Sequence, residues 1–79
     1  MTKQPIEFKT GTLKWFDVNR GFGFLIPDEA GPDVFVHANL FNRREIEPEQ
    51  FMRIEYRDTR GKKGIMAFDL REMEEKQVH

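Results

Sequence analysis

Phe22 and Phe24 stand two apart in the run 21–26, and Phe35 and His37 stand two apart in the run 33–38. A spacing of two puts each pair on one face of an extended strand. If the two runs are neighbours, their four rings make one flat platform, and the chemistry open to it is stacking against other planar, polarisable groups. Nucleic-acid bases are such groups, and each base stacked on an aromatic ring is worth roughly 1–3 kcal/mol. A duplex hides the base faces, so a platform of this kind selects unpaired strands. Lys9, Lys14, Arg20 and Lys62 or Lys63 stand where they could follow phosphates along its edge.

The ordinary place for a strand aromatic is the core, so exposure needs an argument. Eight Phe, one Trp and one Tyr are too many for the single small core that 79 residues can build. Gly21 and Gly23 flank Phe22, and glycine weakens a strand unless another backbone or a ligand must come close. Burying His37 beside three Phe would also demand a hydrogen-bond partner for its ring.

Other chemistries find little to work with. The chain has no Cys and no Ser, and its two histidines, His37 and His79, are far apart in sequence. The acidic residues fall in solvated runs, and the GFGF stretch is strand-like with no helix pattern after it, unlike a phosphate-cradling loop. No catalytic residue, metal site or cofactor is expected.

The elements that must hold the platform follow from turn signals at 17–21, 27–33 and 58–64. Between them lie runs of strand length at 9–17, 21–26, 33–38, 51–56 and 65–71, which predict an all-β fold, a small five-stranded antiparallel barrel. Residues 1–8 read as an N-terminal extension, 9–71 as the barrel domain and 72–79 as a charged tail, frayed or disordered. The longest irregular piece, 39–50, is expected to carry at most a helical turn. Placing the aromatics outside leaves Leu25, Val34, Val36, Met52, Ile54 and Tyr56 as the core. The first strand resists this sorting, because Leu13 and Trp15 share parity; a bulge or strong coiling would resolve it.

The formal net charge is −1, which excludes a binder that relies on bulk attraction to phosphate. The near-balance hides acidic runs around Glu45 to Asp58 and at Glu72, Glu74 and Glu75, with Arg60, Lys62 and Lys63 between them. No apolar signal segment or membrane-length stretch is present, so a soluble, most simply cytoplasmic protein without membrane contact is expected. The same aromatics would also serve a protein-binding or self-association module. Small barrels support both uses, and monomer, weak dimer and strand-swapped dimer all remain open.

Residues 11–41, GTLKWFDVNRGFGFLIPDEAGPDVFVHANLF, resemble the cold-shock domain family, a five-stranded oligonucleotide/oligosaccharide-binding barrel. KWF followed by RGFGFL is similar to the first ribonucleoprotein-type motif of that family, and VFVH to the second, in the same order and at the same separation. The resemblance implies that Lys14, Trp15, Phe22, Phe24, Phe35 and His37 match positions contacting single-stranded RNA or DNA, with Phe16 and Asp33 at further contact positions. Arg20 stands where the family usually has lysine, which keeps the charge and changes its geometry. It also implies a passive nucleic-acid chaperone that melts weak secondary structure, with indirect effects on transcription or translation. Beyond Phe41 the match thins. Ala38 replaces a frequent stacking aromatic, Asn39 a serine, Ile65 a proline and Phe68 a small residue, which points to a smaller platform. Phe41 or Phe51 is a candidate for a displaced aromatic, and each is equally a candidate to pack under the long loop.

Overall fold

Five strands and one short helix account for most of the described residues, 8–62 and 64–73, in the computed structural model. The expected extension (apart from Phe8), the tail from 74 onward and Lys63 lie outside the described residues. The elements are β1 (Lys9–Asp17), β2 (Phe22–Pro27), β3 (Val34–His37), α1 (Ala38–Arg44), β4 (Arg53–Gly61) and β5 (Gly64–Glu72). They close into a barrel in the order β1-β2-β3-β5-β4. All pairings are antiparallel except β3 with β5, which meet in parallel at Phe35 and Met66. That pairing departs from a purely antiparallel barrel. The helix and β4 intervene between the two strands, allowing the chain to return in the same direction.

The core follows strand alternation. Leu13, Leu25, Val34 and Val36 are buried from the first three strands, Ile54 and Tyr56 from β4, and Ala67 and Leu70 from β5. Burial drives the Tyr56 phenol above its ordinary value. Met52, expected in the core, is only half-buried, because it precedes β4 in a turn and packs against the edge of the cluster. The fourth strand also runs further than its turn signals indicate. Residues 58–61 stay paired with β5, so their Asp, Thr, Arg and Gly form a ladder instead of a loop.

The segment after β3 holds a helix of seven residues, longer than the single turn expected. His37 caps it, its Nδ1 accepting from the Asn39 N–H at 3.2 Å. Leu40 and Phe41 bury themselves in the barrel end. Glu45, at φ 58°, closes the helix, as its N–H reaches the Asn42 carbonyl and the Ile46 N–H reaches that of Phe41. Two buried side chains and two satisfied ends outweigh the polar composition on which the shorter expectation rested.

Outside the barrel, Asp28 receives both terminal nitrogens of Arg53, at 2.8 and 2.7 Å, and the Thr10 hydroxyl at 2.6 Å. The Arg53 hydrogen bonds, and then that of Thr10, hold the Asp28 carboxyl well below the usual carboxylate range. The cluster joins β1, β4 and the turn after β2. A second one ties α1 to β4 and β5, with Asp69 accepting from Arg57 at 2.7 Å and Arg44 at 3.0 Å.

Candidate nucleic-acid interface

A bulge in β1 settles the placement of Trp15. Leu13 pairs with Leu25, but Trp15 pairs with Phe24, so Lys14 is the extra residue and the register shifts by one. Leu13 therefore points inward and Trp15 outward, 37% exposed. Gly23 makes the bulge possible. A Cβ there would strike the Trp15 carbonyl oxygen and come within 2.8 Å of the Phe16 backbone. The glycine inside the strand thus admits a neighbouring backbone, not a ligand.

The β2–β3 hairpin pairs Phe22 with His37 and Phe24 with Phe35. On the outer face, Phe22 and Phe35 lie nearly parallel with ring centroids 5.5 Å apart. Trp15 meets Phe22 at 5.7 Å and Phe24 at 5.4 Å, both edge to face. Phe24 meets Phe35 edge-on at 5.7 Å. The surface is consequently faceted where the alternation suggested a flat one, because pleated neighbours of this size prefer edge-to-face contacts. The three Phe are half-buried, while His37 is exposed. With Nδ1 accepting from the backbone, the neutral His37 ring carries its hydrogen on Nε2 as a free donor.

Phe16 lies apart from this group. Its ring packs edge-on against Phe41 at 5.1 Å and against the core. Phe41 is buried and so is no displaced stacking residue, whereas Phe51 is 65% exposed. Met66, opposite Phe35 across the parallel pairing, is also exposed and carries the apolar face onto β5. Sequence reasoning missed it because the β3–β5 contact joins strands far apart in the chain. Phe68 stands out of register at a bulge, where Arg57 pairs with Asp69 and Asp58 with Ala67. Its ring faces the Arg57 guanidinium at 5.7 Å, and Phe8 receives Arg57 at 4.8 Å and Arg71 at 3.9 Å. These aromatics hold cations of the barrel wall.

Three of the cations expected along the platform are already engaged. Lys14 donates to Asp33 at 3.0 Å, Arg20 lies 3.7 Å from Asp17, and Lys9 lies 3.1 Å from Asp58. Asp17 also accepts from the Asn19 and Arg20 N–H groups, which holds the turn carrying Arg20. Lys62 is exposed at the end of β4. A phosphate meeting Lys14 or Arg20 must compete with a carboxylate. The geometry therefore offers strong stacking and weak charge attraction. Among the described residues, no group of three or more His, Asp or Glu is placed to hold a metal ion, and no helix is long and apolar enough to cross a membrane.

The sequence that builds this geometry has known relatives. Residues 9–73 match the family model described as the 'Cold-shock' DNA-binding domain. The cold shock-like protein CspA of Stigmatella aurantiaca is 40% identical over 63 residues, covering 78% of this chain and 93% of the relative. The probable cold shock protein y4cH of Sinorhizobium fredii is 43% identical over 64 residues, covering 76% and 90%. The cold shock protein CspV of Vibrio cholerae is 42% identical over 59 residues, covering 73% and 84%.

Proposed function

The chain belongs to the 'cold-shock' DNA-binding domain family, and from that premise we propose that it holds single-stranded RNA or DNA by stacking bases on Trp15, Phe22, Phe24, Phe35 and His37. As a member of that family it is a nucleic-acid-binding domain and not an enzyme. The observation that carries the proposal is the contiguous outer group in which Trp15 touches both Phe22 and Phe24 and Phe35 touches both as well. Such a group offers base-sized apolar faces with no sequence code, since every base has a π-face.

Stacking competes with base pairing, so the bound protein keeps weak hairpins open without nucleotide hydrolysis. In this reading it is a nucleic-acid chaperone, and effects on transcription or translation follow indirectly. Lys14 and Arg20 meet phosphates at the rim after giving up their carboxylates, and the His37 Nε2–H is free to donate to a base edge. Phe16 and Asp33 act at one remove: Phe16 supports the bulge beneath Trp15 from the core side, and Asp33 restrains Lys14.

The test is Trp15 fluorescence titrated with a short, unstructured, pyrimidine-rich oligonucleotide. Saturable quenching, together with opening of a weak labelled hairpin by the same protein, is the expected result. No response at low salt, combined with self-association by sizing, would overturn the proposal in favour of a protein-binding face.

A further inference from the structure

Phe51 sits where a phenylalanine is poorly suited. Its φ is 70°, in the left-handed region where a bulky side chain is an outlier. It is the third residue of a turn closed by the Met52 N–H on the Glu49 carbonyl at 3.1 Å, a position with positive φ that favours glycine or asparagine. Burial does not compensate, because the residue is 65% exposed. An exposed aromatic in strained backbone invites a functional explanation.

Its location supplies one. The Phe51 N–H donates to the Leu13 carbonyl at 2.7 Å, the Leu13 N–H donates to the Met52 carbonyl at 2.9 Å, and the Gln50 side-chain amide donates to the Lys14 carbonyl at 3.2 Å. These bonds fix Phe51 on the edge of β1 away from β2, beside the bulge from which Trp15 emerges. Across the barrel surface the aromatic positions therefore run from Phe35 and His37 on β3, through Phe22 and Phe24 on β2 and Trp15 on β1, to Phe51 at the far edge.

We propose that Phe51 is a further stacking residue, which takes one more base of the same single strand beyond Trp15. The inference rests on the nucleic-acid reading of the platform. Backbone strain is retained at this turn because only a large ring there lengthens the stacking track.

The experiment compares the full chain with Phe51→Asn, Phe51→Tyr and Phe35→Ala, using a length series of thymidine oligonucleotides. Asparagine tolerates the left-handed conformation, so Phe51→Asn is expected to melt a few degrees higher. It should also bind long oligonucleotides at least about fivefold more weakly, with affinity reaching its plateau one nucleotide earlier than in the wild type. Phe51→Tyr keeps the ring and the wild-type plateau. If Phe51→Asn binds every length as tightly as the wild type while Phe35→Ala does not, the role of Phe51 is overturned and the platform stands. If Phe51→Asn melts lower, the ring is structural and the inference fails. If the wild type binds no oligonucleotide, both readings fail together.

Discussion

Gly23 lies so close to the Trp15 carbonyl oxygen that a single methyl group on it would collide with main chain rather than with a movable side chain. The contact joins the two strands that carry most of the platform, at the point where β1 slips by one residue. Folding and the outward placement of Trp15 are therefore coupled here, since the bulge that turns Trp15 outward needs a neighbour without a Cβ.

Gly23→Ala is accordingly expected to destabilise the barrel by roughly 1–3 kcal/mol, the usual range for forcing an extra carbon into a packed site. A urea titration followed by circular dichroism measures this, and Trp15 emission should shift in the folded variant as the bulge moves. Unchanged stability and emission would mean that the strands have more room than this geometry allows.

Phe35→Ala tests the platform itself. Its ring touches Phe22 and Phe24, so the substitution should lower oligonucleotide affinity by roughly 1–3 kcal/mol. The lost ring contacts add about 1 kcal/mol of destabilisation, more than a freely exposed aromatic would show. Calorimetric titration and thermal melting on one sample separate the two effects. A stability loss of the size expected for a core Phe, about 3–5 kcal/mol, would show that the ring is structural.

Asp33→Asn releases Lys14 from its 3.0 Å partner. Affinity for a single strand should rise at low salt. Because Lys14 meets the phosphate in both proteins, the slope of log affinity against log salt should stay the same, whereas Lys14→Ala should make it shallower by about 0.7, the change for one phosphate contact on a single strand. Unchanged affinity in Asp33→Asn would show that the carboxylate does not compete with a phosphate for Lys14.

Acid should weaken the fold through Asp69. Its carboxyl is held below the ordinary value of 3.8, first by the Arg57 hydrogen bond and then by that of Arg44. The unfolded chain therefore binds more protons than the folded one below about pH 5. The stabilisation is complete at neutral pH and is lost as pH falls through the folded value. Melting temperature against pH should drop on the acid side, and Asp69→Asn should be less stable at pH 7 with a flatter acid limb. An identical limb in the variant would rule Asp69 out as a source of the effect.

The alternation of Phe22, Phe24, Phe35 and His37 against Leu25, Val34 and Val36 was legible in the sequence, because side chains in a strand change face at every residue and two adjacent strands share a hairpin. The same local rule assigned Ile54 and Tyr56 to the core. It could not choose between a bulge and coiling for Trp15, because parity shows that a register must break without showing where. Phe41 and Phe51 were indistinguishable in the sequence and have opposite fates, one buried at the barrel end and one exposed at a turn. The addition of Met66 to the platform edge and the neutralisation of Lys14 by Asp33 likewise belong to the tertiary structure. Each depends on segments distant in the chain being brought together by barrel closure. What the sequence determined by itself was which faces the strands present; how far the aromatic face extends, and how little free charge borders it, was decided only when the barrel closed.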